Sequence, residues 1–206
     1  MCSSMLEHMS TIEDEAVGVH ERVARRVRAL RTASALSLDA LAGRCGVSRS
    51  MISLIERGES SPTAVVLEKL ADGLDVSLAS LFEPPQPDAG PVARRGDQPP
   101  WRDPQSGYVR RNVSPAGFPS PIQIVDVHFP PHARVAYETG ARATCLHQQV
   151  WVLDGTIEVT VGHERHQLHA GDCLALVLDP PIMFHNPTGD SARYAVVLAS
   201  DAPVRR

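Results

Sequence analysis

Between Pro84 and Pro104 the chain carries seven prolines in 21 residues. No helix interior or central strand tolerates that density of rings that fix φ and donate no hydrogen bond. Whatever the chain folds into is therefore divided there. The two sides also differ in pattern. Before the break, Val19, Val23, Val27 and Leu30 recur at helical spacing. Short segments with marked starts and stops follow. Ser37 precedes LDALAGRC and Gly46 ends it; Ser48 precedes RSMISLIER and Gly58 ends it. Pro62 and Thr63 open AVVLEKLADGL, and Ser77 precedes LASLF. Ser and Thr side chains satisfy orphan donors at helix entries, and glycine supplies positive φ at exits. The pattern predicts five short helices over residues 17–82. After the break come the β-type runs YVRRNV, IQIVDVHF, QVWVL, TIEVTV, HQLHA, CLALVL and RYAVVLA. Turn sequences such as LDGT, VGHE, AGD and NPTGD separate them, which predicts an all-β sandwich or barrel. The expected organisation is a disordered acidic tail (1–16), a helical domain (17–83), a proline-rich linker or entry segment (84–105) and a β domain (106–206).

The formal charge of −4 conceals an uneven distribution. Residues 1–16 hold four acids and no Lys or Arg, whereas residues 17–82 hold nine basic and seven acidic groups. Arg22, Arg25, Arg26, Arg28 and Arg31 lie on one helical stretch. Such a cluster is either a phosphate-binding face or a solvated helix surface. The four cysteines, Cys2, Cys45, Cys145 and Cys173, form no CxxC pair, so neither a disulfide framework nor a zinc ribbon is expected. No apolar run approaches transmembrane length, and MCSSMLEHMSTIEDEAVG does not read as a signal peptide. The expected compartment is the cytoplasm, with no membrane partner.

One helical register contains A-x-x-x-G-V-S-R-S-x-I-S-x-I-E-R-G-E-x-x-P-T, running from Ala42 to Thr63. With its flanks, over residues 20–82, it resembles the lambda-repressor-like, xenobiotic-response-element family of helix-turn-helix DNA-binding domains. Gly46 suits the tight turn between the second and third helices. The third helix, Ser48 to about Glu56, is then expected in the DNA major groove. Val47, Ile52 and Ile55 point inward, leaving Arg49, Ser50, Ser53 and Leu54 toward DNA. Arg49 suits guanine O6 and N7, and Leu54 a thymine methyl. Ser37, Ser48 and Arg57 are expected phosphate contacts; Ser37 and Ser48 are also caps. The resemblance further implies that Glu56 pairs with Arg31 as a structural ion pair. Ala40 replaces the Glu common in a capping box, and Leu38 replaces a Gln that contacts DNA in some relatives.

The segments HQQVWVLDGTIEVTVG, HAGDCLALVLDPP and HNPTGDSARYAVVLA resemble a cupin, a double-stranded β-helix or jelly-roll barrel, over residues 92–205. Metal-binding cupins carry G-x5-H-x-H-x3–4-E-x6-G and G-x5-P-x-G-x2-H-x3-N. Anchored on Gly155, the glutamate position falls on Gln148 and the histidine positions on Ala141 and Ala143, or Arg142 and Thr144. Anchored on Gly171, the count reaches Asn186, with Val177 for Pro, Asp179 for Gly and Ile182 for His. No usual ligand for iron, manganese or zinc stands at any of the four positions. His147 and His185 sit at odd offsets and face the other side of a regular strand. His163, His166 and His169 read as solvated. No metal and no cofactor is expected.

The expected fold is a multi-domain α plus all-β chain: a five-helix helix-turn-helix domain followed by a cupin barrel. The expected function is sequence-specific recognition of double-stranded operator DNA by a homodimer. The cupin would sense a small organic effector such as an amino acid, amine or organic acid. Gln148, Tyr137, Arg142, His147 and Trp151 are the candidate ligand contacts. The two alternatives are a metal-dependent cupin enzyme fused to a DNA-binding module and a ligand-free cupin that only dimerises.

Overall fold

The computed structural model describes residues 3–83, 90–118, 120–138 and 146–200. Four α-helices come first: α1 (Ser3–Ala33), α2 (Leu38–Cys45), α3 (Arg49–Glu56) and α4 (Ala64–Gly73). Ser37, Ser48 and Thr63 cap α2, α3 and α4, each side-chain oxygen accepting from the N–H three residues on. Gly46, at φ +66°, closes α2 in the left-handed region and turns the chain into α3.

Two expectations need correction. The fifth helix is a single 3-10 turn, Leu78–Phe82. Ser77 starts it as expected, but Glu83 stands before Pro84 and is extended (φ −73°, ψ 140°). The proline ring disfavours helical backbone at the residue preceding it, so the turn cannot lengthen. The segment read as an acidic tail lies within α1 from Ser3 onward. Its residues SSMLEHMSTIEDEAV hold no proline and no glycine before Gly18, so nothing in them interrupts backbone hydrogen bonding.

Ten strands follow: β1 (Trp101–Arg102), β2 (Val109–Asn112), β3 (Ile122–Phe129), β4 (Arg134–Tyr137), β5 (Leu146–Asp154), β6 (Thr156–Val161), β7 (Glu164–His169), β8 (Cys173–Val177), β9 (Ile182–His185) and β10 (Ala192–Ser200). They form a six-stranded sheet, β1-β2-β3-β10-β5-β8, and a four-stranded sheet, β4-β9-β6-β7. Every pairing is antiparallel. From β3 to β10 the chain distributes eight strands as 3-10-5-8 and 4-9-6-7, the double-sheet jelly-roll order. β5 alternates strictly at its start: Leu146, Gln148, Val150 and Val152 are buried while His147, Gln149 and Trp151 are exposed. That alternation fixes which face lines the interior.

The helical half and the barrel share one buried core. Trp101, 2% exposed, packs its ring 5.4 Å from Phe82 and 5.9 Å from Tyr108. The contacts continue through Phe129, Tyr194, Phe184 and Tyr137. Seven of the nine aromatic residues thus form one chain of rings from the 3-10 turn into the barrel. Polar bonds reinforce the junction. Asp103 Oδ1 accepts from the Ala64 N–H at 2.8 Å, at the first turn of α4. Gln123 donates to Glu83 at 2.8 Å, and Arg26 donates to the same carboxylate at 3.1 Å. Burial pushes the Glu83 carboxyl up from its ordinary range, and Arg26 offsets part of that rise. The second half of the proline-rich segment is thus built into the junction.

Within the helical half, Gly73 admits the close approach of α4 to α2. A Cβ there would stand 2.7 Å from Cys45 Cβ and 3.1 Å from Leu41 Cδ1, both on packed side chains. Gly73→Ala is expected to overpack this contact and cost about 1–3 kcal/mol. A urea-unfolding midpoint equal to the parent's would contradict the packing described.

Candidate DNA-contact face and barrel cavity

α3 is amphipathic by position. Ile52 and Ile55 are fully buried, and Val47 just before the helix is buried too. Arg49 and Ser50 are exposed on the opposite side, and Ser53 is half-buried. The face is held in orientation from behind. Arg31 Nε and Nη2 donate to the two Glu56 carboxylate oxygens at 2.6 and 2.8 Å, and Nη1 donates to the Leu36 carbonyl at 2.8 Å. Glu56 raises the Arg31 pKa through hydrogen bonding and charge. A bidentate pair of this kind fixes both the rotation and the depth of α3 against α1.

The expected DNA contacts lie along one surface, with differences in detail. The Ser37 hydroxyl accepts from Ala40 N at 3.0 Å, and the Ser48 hydroxyl accepts from Met51 N at 3.2 Å. Ser48 and Ser50 hydroxyls lie 3.2 Å apart. Arg57 donates to Ser53 Oγ at 2.5 Å and to both oxygens of Glu59, which raises its pKa. Leu54 is half-buried rather than fully exposed, because it sits between the inward and outward faces of a two-turn helix. Sequence reasoning missed two neighbours. Met51 is 37% exposed and adds an apolar side chain to this surface. Asp39, near the start of α2, holds the Arg49 guanidinium at 3.3 Å. That pair spans two helices, so no local spacing signals it.

The barrel interior encloses a cavity of about 720 Å³, a figure that includes space open to solvent. Gln148 and Tyr137 line it as expected, and the motif position Ile182 also faces it. His147 and Trp151 do not: both are exposed, Trp151 by 50%. The reason is strand parity, since Gln148 faces inward and its odd-offset neighbours must face outward. Arg142 lies outside the described residues. Sequence reasoning missed Tyr108, Arg110 and Tyr194, which also line the cavity, and Glu68, Ser77 and Leu78, which close it from the helical half. Nothing in YVRRNV says whether Arg110 or Arg111 faces inward; only the register of β2 on β3 decides it.

Tyr108 and Tyr137 hydroxyls stand 3.1 Å apart. Burial raises the pKa values of Tyr108, Tyr137 and Tyr194, so all three remain protonated donors at neutral pH. No cluster of three or more His, Cys, Asp or Glu suited to a metal occurs among the described residues. His185 faces outward from β9, 3.7 Å from Glu158. Asn186, where the second motif ends, is wholly buried and donates to carbonyls of Pro130 and Asp190, which makes it a structural residue.

Residues 27–81 match the helix-turn-helix family model HTH_3. The HTH-type transcriptional regulator SutR of Escherichia coli (strain K12) is 30% identical over 162 residues, covering 78% of this chain and 84% of SutR. The chain belongs to the helix-turn-helix transcriptional regulators. The HTH-type regulator YazB of Bacillus subtilis (strain 168) is 35% identical over 60 residues, 29% of this chain and 87% of its own. The crystal structure of an HTH_3 family regulator from Vibrio cholerae superposes with a TM-score of 0.72 at 26% identity. That match covers 91% of this chain and 99% of the other, so the resemblance extends through the β domain. As in other helix-turn-helix regulators, the partner is DNA. No helix among the described residues is long and apolar enough to cross a membrane.

Glu56→Gln leaves the Arg31 guanidinium, whose side chain is 14% exposed, without its carboxylate. The expected loss is about 3 kcal/mol, at the lower end for a broken buried pair because the Leu36 carbonyl still accepts. An unchanged thermal midpoint would remove the pair from its orienting role.

Proposed function

We propose that this regulator reads operator DNA as a homodimer and that its cupin domain senses a small organic effector without a metal. The observation that carries the first part is α3 itself: one face locked by Ile52, Ile55 and the Arg31–Glu56 pair, the other presenting Arg49, Ser50 and Ser53. Arg49 is the base-reading residue, and Ser37, Ser48 and Arg57 anchor phosphates. The Asp39–Arg49 and Arg57–Glu59 pairs are exposed, so opening them toward DNA costs little. One two-turn helix reads only a few base pairs, so a twofold dimer is required, with half-sites about 34–36 Å apart.

The cupin supplies a surface for that dimer. Ile122, Ile124, Trp151 and Val177 are all exposed on the outward face of the six-stranded sheet. Their strands are in register, so the four side chains share that face. We assign DNA binding to residues 17–83 and sensing to residues 106–206, with 84–105 as the connection. A regulator of this kind works where the chromosome is, in the cytoplasm. A catalytic role finds less support. The motif position that faces the cavity as Gln148 offers a neutral amide, and Ile182 offers no donor. A cupin that only dimerises leaves a cavity lined with tyrosine hydroxyls and Arg110 unexplained.

A titration against duplexes from the DNA upstream of the coding region tests the reading. A palindromic site should bind at least tenfold more tightly than random duplex of equal length. Arg49→Ala should cost about 1–3 kcal/mol at that site and relax its base preference. Equal affinity for all duplexes would overturn the regulator's proposed specificity. Prior chelation with EDTA should leave both DNA binding and effector response unchanged, and a stoichiometric metal would revive the enzyme alternative.

A further inference from the structure

The sensor reading leaves the effector's chemistry open, and Arg110 narrows it. This residue is 5% exposed, lies on β2 and lines the barrel cavity. It stacks on the Phe82 ring at 4.6 Å. Its Nε is buried with no hydrogen-bond partner. Among the described residues no carboxylate or carbonyl accepts from that Nε. The residue itself is nearly removed from solvent, and the ring face satisfies charge but accepts no in-plane hydrogen bond. A buried guanidinium nitrogen without an acceptor is costly to maintain. The fork geometry matches a carboxylate.

The surrounding groups complete the description. Tyr108, Tyr137, Tyr194 and Gln148 bring neutral donors to the same cavity, and the Arg110 charge is felt at Tyr108 and Tyr194. Most of the remaining wall is apolar, including Val125, Val127, Phe129 and Leu198. A second negative charge on the ligand would meet that hydrocarbon, at high desolvation cost, or the buried Glu68 carboxyl that also lines the cavity. The cavity also has a wall from the DNA-binding half, where Glu68 on α4 and Leu78 in the 3-10 turn reach it. A molecule in the barrel therefore touches both halves of the chain.

The geometry points to a monocarboxylate with an apolar body as the effector class, its carboxylate bound by Arg110 and the tyrosine hydroxyls. This rests on the sensor reading above and deepens it. Binding to the full chain is measured by calorimetry with matched probes: octanoate, octanamide, octylamine and the dicarboxylate suberate, and phenylacetate, phenylacetamide and phenethylamine. At least one monocarboxylate is expected to bind at least tenfold more tightly than its amide, its amine and, for octanoate, suberate. Arg110→Met, which keeps volume without charge, should abolish that preference. Arg110→Lys should retain part of it. The acid–amide comparison on the unaltered protein stands even if a variant does not fold. Amides or amines that bind as well as the acids overturn the carboxylate assignment while leaving a sensor in place. So does an acid preference that survives Arg110→Met in a folded protein. If no probe binds, the assignment falls. Native mass spectrometry of the protein as purified then decides the sensor reading separately, by whether an organic molecule is carried.

Discussion

The Phe82 ring packs against both the Trp101 indole, 5.4 Å away, and the Arg110 guanidinium, 4.6 Å away. Phe82 ends the helical half, Trp101 begins the β half, and Arg110 faces the barrel cavity. These three side chains make the two halves one body with a continuous core. Large aromatic surfaces gain most of their stabilisation from removal from water, with additional gain from edge-to-face geometry. A chain with so few aromatic residues has concentrated nearly all of them along this line.

The junction bears on the proposed function because residues of the helical half line the cavity. The sheets enclose the sides of the cavity, and α4 and the 3-10 turn contribute Glu68, Ser77 and Leu78. Asp103 holds the start of α4 through the Ala64 N–H, while Gly73 at its other end packs α4 against α2. α2 in turn joins α3 through the Gly46 turn. An occupant of the barrel is thus one helix removed from the pair that presents Arg49. Two-state behaviour requires an occupant that favours one arrangement of the halves over another. On the proposed sensor reading, a direct wall contact would supply the differential interaction without a long relay.

Much of this was written locally. The caps at Ser37, Ser48, Thr63 and Ser77 were legible because an N-cap bond spans three residues. The inward set of α3 followed from helical period, and the Arg31–Glu56 pair from the family resemblance. The site in the barrel was half legible. Gln148 was placed inside by counting from Gly155, and Tyr137 also lines the cavity, but Trp151 and His147 were drawn in by chemical type against their strand parity. The end of the helical half was misjudged for a different reason. LASLF has helical composition, and only the backbone at Glu83 before Pro84 limits it to one turn.

The sequence by itself determined the two-part organisation, the entries of the helices, the recognition helix and its family, because these depend on contacts within a few residues or on a register of motif positions. Only the tertiary structure decided that Arg110 rather than Arg111 faces the cavity, that Asp39 holds Arg49, and that the helical half closes the barrel. Each depends on partners brought together from distant parts of the fold or on the pairing of β2 with β3. A one-residue change of register would exchange the inner and outer faces of that strand, and nothing in its six-residue run specifies the register.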